Sequence, residues 1–312
     1  MAKELVCSEE TLQKDLSGKV YIVTGTTSGI GLATVKQLAK QSATVICASR
    51  NIALANKISA EIIQETSNKN IHNVLLELGS LDSVKDFVTV FNKKFSRLDG
   101  LVNNAGVMNT PQQRTTDGFE LQFGVNFLGH FLLTELLLPK LKKAKNSRVV
   151  HTSSVYHEKG TIDLTDLNYE KRKYSGWDAY NQSKLAQVLY SRYQAKLLKG
   201  SNIISVSIHP GWVQTPLIKY TLPVFFQDVL LKPFLSLAGM NNTIIGSQTT
   251  LHCLISDIAS DKNGCFFSQV GIYKDKESRA GGWPMKSPNS LVYDDKLCEE
   301  LFKVASSMVG IK

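Results

Sequence analysis

Short apolar runs alternate with amphipathic segments along most of the chain. Short apolar runs are typical of buried strands, and apolar residues spaced three or four apart are typical of helices packed on one face. The predicted strands are 20–23, 43–48, 74–78, 101–103, 148–152 and 203–208, and the predicted helices are 30–41, 52–66, 81–95, 119–141 and 179–198. This alternation predicts an α/β fold, a Rossmann-type doubly wound parallel sheet with helices on both faces.

The alternation loosens after residue 215. Pro216, Pro223 and Pro233 interrupt a segment rich in large apolar residues, which predicts a short, mobile apolar lid over about 216–240. A further helix and strand follow, and a last helix is predicted over 294–307. We expect a polar N-terminal extension over 1–17 and a single domain over 18–312, since 312 residues suffice for one large core.

Composition narrows the class of partner. The chain carries 36 Lys and Arg against 27 Asp and Glu, a net charge of +9 that would suit a phosphate-bearing ligand, an anionic membrane or a nucleic acid. The basic residues are scattered and form no stripe with interleaved aromatic residues, so we expect no nucleic-acid partner. Peripheral membrane or complex association stays open.

The cysteines and the N-terminus bear on the compartment. The five cysteines are widely spaced, with no CxxC pair or nearby histidine, which predicts no metal site and a reducing, intracellular compartment, cytoplasmic or organelle-associated. The acidic N-terminus lacks a signal-peptide pattern. No stretch reaches 18 uninterrupted apolar residues, so we expect no transmembrane segment.

A glycine-rich turn, Thr-Gly-Thr-Thr-Ser-Gly-Ile-Gly at 24–31, separates the first predicted strand from the first helix. Glycines at this place let a pyrophosphate approach the backbone N–H groups at the positive end of the helix. An ordinary strand-to-helix turn is the alternative, and the position after the first strand favours dinucleotide binding. The predicted cofactor contacts in this turn are Gly25, Thr27, Ser28, Gly29, Ile30 and Gly31.

The end of the second predicted strand indicates which dinucleotide binds. It reads Ala-Ser-Arg-Asn at 48–51, without a carboxylate that could accept bonds from the ribose hydroxyls. Arg50 could instead pair with a 2′-phosphate, and Ser49 could donate to it. This pattern predicts NADP(H) rather than NAD(H); the alternative is that Arg50 only faces solvent.

Tyr180 and Lys184 are four residues apart near the start of a predicted helix, which places them on one face, one turn apart. A phenol has a reference pKa of about 10, and a neighbouring ammonium would lower that pKa and suit Tyr180 to general acid–base chemistry. Taken alone, such a pair is usually a surface pair. Other motifs must therefore support the prediction.

Five motifs occur in order over 18–215: the glycine turn, Asn-Asn-Ala-Gly at 103–106, Ser-Ser at 153–154, Tyr180 with Lys184, and Pro-Gly-Trp-Val-Gln-Thr at 210–215. Together they resemble the short-chain dehydrogenase/reductase family. The stretch 116–131, the long interval between the serine and tyrosine motifs, and Ser-Pro at 287–288 resemble its retinol dehydrogenase and WW-domain oxidoreductase branch.

The resemblance implies a role for each matching residue. Ser154 would hydrogen-bond the substrate oxygen, Tyr180 would exchange a proton with it, and Lys184 would bind the nicotinamide ribose. Asn126 would help to place a water in a proton relay with the lysine. The remaining implied cofactor contacts are Asn103, Ala105, Gly106, Pro210, Gly211, Val213 and Thr215, of which the last would hold the nicotinamide carboxamide.

Two departures from the family pattern bear on this carry-over. Glu77 stands where the family usually has aspartate, so its contact with the adenine is in doubt. The segment 266–269, Phe-Phe-Ser-Gln, resembles a Tyr-Phe-Ser-Asp pattern with changed ends and has no assigned role. We expect His130 and His209 to be structural.

Two functions remain open at this point. One is an NADP(H)-dependent oxidoreductase that interconverts a carbonyl and an alcohol on a lipophilic substrate, retinoid-, steroid- or aliphatic-like, with lid residues lining an apolar pocket or packing on their own domain. The other is an NADP(H)-binding accessory or assembly subunit of a larger complex with little turnover. The complete set Asn126, Ser154, Tyr180 and Lys184 favours the enzyme.

A homodimer is possible, because helices like 119–141 and 179–198 often pair between subunits in this family.

Overall fold

The computed structural model describes residues 3–213 and 242–311. The predicted lid at 216–240 and the predicted carboxamide contact Thr215 lie outside the described residues.

Eight strands of the described residues form one sheet in the order β3-β2-β1-β4-β5-β6-β7-β8. The strands are β1 Val20–Thr24, β2 Thr44–Ser49, β3 Ile71–Leu75, β4 Gly100–Asn103, β5 Ser147–Thr152, β6 Ile203–His209, β7 Phe266–Ser268 and β8 Gly282–Met285. Neighbouring strands from β3 to β7 pair in parallel, as predicted, whereas β7 and β8 pair antiparallel.

The helices cover both faces of the sheet, which confirms the doubly wound architecture. They are α1 Glu9–Gln13, α2 Gly29–Lys40, α3 Ile52–Thr66, α4 Leu81–Lys94, α5 Leu121–Leu141, α6 Gly176–Leu197, α7 Thr243–Ile255 and α8 Asp295–Met308. One apolar cluster joins the sheet to α4, α5, α6 and α8. A second cluster joins its other face to α2, α3 and α7.

Two strand predictions were wrong for physical reasons. The third strand ends at Leu75 rather than at residue 78. Leu76 and Leu78 are buried in the connection that follows it, so the apolar run in the sequence continues beyond the end of the strand. Strand β8 was not predicted, because it contains Gly282 and Pro284. A proline lacks a backbone N–H and is tolerated at the edge of a sheet, where β8 lies.

Helix α5 differs from the prediction in its bounds and its geometry. It begins at Leu121 rather than at residue 119, and Gly124–Leu128 within it form a π-helical turn. By length and composition alone, the whole helix is long and apolar enough to cross a membrane. However, 78% of its most apolar window is buried inside the protein, which is typical of a core helix.

The N-terminal segment, predicted as a polar extension, makes contacts with the rest of the domain. Cys7 and Leu16 are buried in the second apolar cluster, and α1 lies between them in sequence. The Gln269 side chain accepts a hydrogen bond from Leu5 N at 2.7 Å and donates one to Leu5 O at 2.6 Å. The described part of this segment therefore packs on the domain, and the 266–269 motif helps to hold it.

The strand order reverses between β1 and β4, since β2 and β3 lie on one side of β1 and the later strands lie beyond β4. In open α/β sheets, ligands bind outside the carboxyl ends of the strands at such a switch point. The glycine turn follows β1 and the 103–106 motif ends β4, so both lie at this place in the fold.

Candidate active site

The glycine turn is closed tightly against the end of β4. Gly25 and Gly29 have φ of +71° and +62°, the left-handed region that favours glycine. A Cβ on Gly31 would lie 2.2 Å from the Gly25 carbonyl oxygen, and one on Gly25 would lie 2.9 Å from Ala105 Cα. These glycines are therefore required by the shape of the turn. Of the predicted contacts at its tip, Thr27 is half-buried and Ser28 is exposed.

Helix α2 begins without a side-chain cap. Helices α3, α4, α6, α7 and α8 each begin with a side chain that accepts a bond from a first-turn amide, whereas Ser28, which precedes α2, makes no such bond. The first amides of a helix have no partner within the helix. Those of α2 are thus not taken by the preceding side chain and suit an anionic group.

A buried hydrogen-bond chain connects the glycine turn to Asn126. The Thr24 hydroxyl accepts bonds from Asn104 N and Ala105 N, both at 2.9 Å, and lies 2.9 Å from His130 Nε2. His130 Nδ1 lies 3.0 Å from the Asn126 main-chain oxygen. Burial lowers the pKa of His130 to about 3, so the ring is neutral. These contacts support the expected structural role of this histidine.

The predicted contacts of the 103–106 motif separate into two groups. The Asn103 side chain donates to Thr134 Oγ1 at 2.8 Å and lies 3.2 Å from His151 Nδ1, so it faces the protein core rather than the turn. Ala105 packs on the turn, and a Cβ on Gly106 would lie 3.0 Å from Asn126 Oδ1. The Asn103 side-chain nitrogen is therefore taken by protein partners.

The two predicted phosphate-binding residues at the end of β2 are Ser49 and Arg50, and their side chains make different contacts within the protein. Ser49 Oγ lies 2.8 Å from Thr26 Oγ1, a contact that connects its hydroxyl to the glycine turn. Arg50 has 69% of its side chain exposed, and its Nε lies 3.8 Å from Glu77 Oε2. The departure at position 77 thus places a carboxylate beside the arginine predicted to select the cofactor.

Ser154 and Tyr180 meet where β5 ends and α6 begins. The Ser154 side chain accepts a bond from Tyr156 N at 3.3 Å, and the Ser153 hydroxyl donates to the Lys184 carbonyl oxygen at 2.7 Å, which joins the strand to the helix. Burial raises the pKa of Tyr180, and the Ser154 hydroxyl opposes that shift. The phenol and the serine hydroxyl are therefore neighbours.

Lys184 lies beside the tyrosine ring, fully buried. Its Nζ is 5.6 Å from the centroid of the Tyr180 ring and donates to Thr152 O at 2.9 Å and Gln187 Oε1 at 3.1 Å. Burial lowers the pKa of Lys184 to about 7. The Ser154 hydroxyl lowers the pKa of Tyr180 and so opposes the effect of burial.

Asn126 sits within the π-helical turn and bridges it to the end of the 103–107 segment. Its Oδ1 accepts from Val107 N at 2.8 Å, and its Nδ2 donates to Val107 O and Ser183 Oγ, both at 2.9 Å. Its main-chain oxygen accepts from Gln187 Nε2 at 2.9 Å. The Gln187 side chain thus connects the Asn126 main chain to Lys184. Sequence analysis missed Gln187, although its spacing of three residues from Lys184 could have indicated a shared helix face.

The contacts predicted after β6 are only partly described. Pro210 and Gly211 follow the strand directly, with Gly211 at φ of +89°. Val213 packs near Ile30, because a Cβ on Gly246 would lie 2.5 Å from Val213 Cγ2 and 3.2 Å from Ile30 Cγ1. This segment therefore lies against the start of α2.

The turn after Ser154 is braced by the tail of the chain. His157 Nδ1 lies 2.6 Å from Ser154 O, and its Nε2 lies 2.8 Å from Ser287 Oγ. Asn289 Nδ2 donates to His157 O at 2.9 Å. His209 Nδ1 accepts from Val155 N at 3.1 Å, a structural contact as expected. The Ser-Pro tail motif thus supports the serine of the site.

Comparison with known proteins decides the family. The family model of short chain dehydrogenases matches residues 19–223. The chain belongs to the short-chain dehydrogenase family. This short-chain dehydrogenase is 35% identical to human (Homo sapiens) retinol dehydrogenase 13 over 299 residues, which cover 95% of this chain and 86% of the relative. It is also 35% identical to human polyprenol dehydrogenase, over 94% of this chain and 86% of that one.

A solved structure shares its fold. A short chain dehydrogenase from Escherichia coli CFT073, complexed with NADPH, superposes with a TM-score of 0.65 at 23% identity, covering 82% of this chain and 98% of that one. The family and its retinol dehydrogenase relatives make this chain an oxidoreductase that acts on alcohol or carbonyl groups.

Proposed function

We propose that this short-chain dehydrogenase uses NADP(H) to interconvert a carbonyl and an alcohol on a lipophilic substrate. The observation that carries the proposal is the meeting of Ser154, Tyr180 and Lys184 at the carboxyl ends of the strands, next to the glycine turn. All three side chains are buried, where hydrogen bonds and charges act more strongly than in water.

The residues present fit a dinucleotide. The glycine turn leaves no room for side chains at Gly25 and Gly31, and the uncapped start of α2 offers amides to a pyrophosphate. Arg50 is exposed at the end of β2, and a guanidinium suits a 2′-phosphate. Lys184 and Gly106 lie together, since a Cβ on the glycine would be 3.7 Å from the lysine Nζ. When bound, the nicotinamide supplies the hydride that the reaction requires.

The protein residues would manage the proton and the substrate oxygen. Because burial raises the pKa of Tyr180, the phenol is protonated at neutral pH and can donate to the oxygen of a carbonyl substrate. The Ser154 hydroxyl would hydrogen-bond the same oxygen and stabilise the negative charge that develops there. Lys184 would hold the cofactor ribose beside the tyrosine.

The lipophilic substrate is supported by two observations. The names of the two relatives describe dehydrogenases of retinol and of polyprenol, both lipophilic alcohols. In this chain, Tyr156 and Trp177 stack at 4.8 Å between ring centroids, and both contact the Tyr180 ring at 5.9 and 6.4 Å. An aromatic surface beside the reacting hydroxyl suits an apolar substrate.

Turnover tests the proposal. Purified protein is assayed with NADPH and with NADH against retinoid, steroid and aliphatic carbonyls, by loss of reduced-nicotinamide absorbance. We expect turnover with NADPH on at least one lipophilic carbonyl, and a large loss of kcat in Ser154→Ala. Absence of turnover across the panel, with NADPH still bound, would contradict the proposal and favour an accessory subunit.

A further inference from the structure

A single buried side chain connects the lysine of the site to the asparagine of the π-helical turn. Gln187 is one turn after Lys184 on α6 and is almost inaccessible to solvent. Its Oε1 accepts from Lys184 Nζ at 3.1 Å, and its Nε2 donates to the Asn126 main-chain oxygen at 2.9 Å. One amide therefore makes a bond to each of the two elements that form this side of the site.

The orientation of this amide is fixed by its two partners. The Asn126 carbonyl oxygen can only accept, so the amide must turn its nitrogen to Asn126 and its oxygen to Lys184, whose amine can donate in either protonation state. The opposite orientation would place two donors together at Lys184 and two acceptors together at Asn126. Gln187 thus has one satisfied position, and that position holds the lysine amine at a defined place.

We propose that Gln187 is a positioning residue, which fixes the Lys184 amine beside the Tyr180 ring and couples it to the π-helical turn that carries Asn126. The inference rests on the proposed function only where it concerns catalysis. The planar amide of Gln187 holds its donor and its acceptor in fixed directions, so its two bonds define the place of the lysine amine relative to Asn126. The lysine is therefore held by protein groups on two sides, Gln187 and the Thr152 carbonyl.

Few other titratable groups face the Lys184 amine. The titratable side chains that face it are Tyr180 on its own helix and His130 on α5. Both are uncharged at neutral pH, because burial raises the pKa of Tyr180 and lowers the pKa of His130. Burial lowers the pKa of Lys184 to about 7. A change at position 187 should therefore be visible in the titration of the lysine.

Two substitutions separate the two bonds of the amide. Gln187→Leu removes both bonds, and the ammonium loses an acceptor, so the pKa of Lys184 should fall below its wild-type value. Gln187→Glu keeps an acceptor at the lysine, adds a negative charge and removes the donor to Asn126. It should therefore raise the pKa of Lys184, by about one unit or more.

The titration can be measured without turnover. The full chain is labelled with 13C at lysine Cε, the Lys184 signal is assigned with Lys184→Met, and its midpoint is followed by NMR as the pH is raised. The expected order of midpoints is Gln187→Leu below wild type and Gln187→Glu above it. Equal midpoints in wild type and both variants would overturn the inference; if the leucine variant does not fold, the glutamate variant alone decides.

Gln194 provides a matched control on the same helix. It is equally buried, but its Nε2 donates to Tyr190 Oη at 2.7 Å and to Glu135 Oε1 at 3.2 Å, away from the lysine. Gln194→Leu should lower stability and leave the Lys184 midpoint unchanged. A shift in this variant equal to that in Gln187→Leu would show that any buried glutamine has the same effect and would also overturn the inference.

Catalysis provides a second, separable readout. The pH profile of kcat is measured with a substrate that the protein converts. Gln187→Glu should displace this profile to higher pH, in the same direction as the Lys184 midpoint. An unchanged profile with a shifted midpoint would contradict the catalytic part of the inference while the positioning itself stands. Full activity of Tyr180→Phe would instead contradict the proposed function, and the lysine titration would still test Gln187.

Discussion

Tyr180 and Lys184 are both buried. Burial raises the pKa of Tyr180 and lowers the pKa of Lys184, and so favours the uncharged form of each. The raised pKa of Tyr180 leaves it protonated at neutral pH, which suits donation to a carbonyl oxygen. Removal of a proton from an alcohol requires the phenolate, whose population rises with pH. The spacing of these residues was visible in the sequence, but their burial was not, since it depends on the packing of α6 against β5.

The protonation state of Tyr180 predicts how the rates of alcohol oxidation and of carbonyl reduction depend on pH. With a substrate identified, the rate of alcohol oxidation should rise as pH increases from neutral to alkaline, while the rate of carbonyl reduction should not rise. Initial rates in both directions over that range check the prediction. An oxidation rate that falls as pH increases would contradict the assignment of Tyr180 as the base.

Arg50 and Glu77 allow a test of cofactor choice. Arg50→Asp removes the guanidinium and should weaken NADPH binding by roughly 10-fold to 100-fold, the value of a hydrogen bond to a charged group. Glu77→Gln leaves Arg50 in place and serves as its control, with NADPH preference retained. Affinities for NADPH and NADH are measured by fluorescence titration, and an unchanged ratio in Arg50→Asp would refute the role of this arginine.

Helix α2 and the turn before it form the element to which we assign dinucleotide binding. The glycine pattern predicted this turn correctly, since close packing at Gly25 and Gly31 requires residues without side chains. Other elements were less accessible to prediction. The apolar residues after β3 hid the end of that strand, and no sequence signal marked the π-helical turn within α5, whose geometry places Asn126.

Gly31→Ala tests this element. The new Cβ would lie 2.2 Å from the Gly25 carbonyl oxygen and 2.6 Å from Asn104 Nδ2, so the backbone must shift. We expect a loss of NADPH binding, measured by titration. We also expect the free energy of unfolding to fall by about 1–3 kcal/mol, measured by denaturant unfolding. Gly79→Ala is the control, because its Cβ would meet its nearest neighbour at 3.4 Å. Wild-type NADPH affinity in Gly31→Ala would contradict the assigned turn.

The molecule as a whole includes its N-terminal segment. Composition made residues 1–17 look like a polar extension, because charged residues alternate with the few apolar ones that are buried, such as Cys7 and Leu16. The contacts that hold the segment come from other parts of the chain, among them Gln269, Gln248 and Gln41, and no local pattern reveals them. Residues 266–269, which had no assigned role, acquire a structural one.

Gln269→Leu measures how much this docking contributes. The substitution leaves the Leu5 N–H and C=O without their partners and should cost about 1–3 kcal/mol in the free energy of unfolding. Gln13→Leu, at an exposed position on α1, is the control and should have little effect. Equal denaturation midpoints for wild type and Gln269→Leu would show that the segment does not stabilise the domain.

The most direct test of the account is kinetic comparison of wild type with Tyr180→Phe, which removes only the hydroxyl. The account predicts that kcat for NADPH-dependent carbonyl reduction falls by about 100-fold or more, the contribution of a general acid, while NADPH still binds with wild-type affinity. Carbonyl reduction at the wild-type rate by Tyr180→Phe would contradict it.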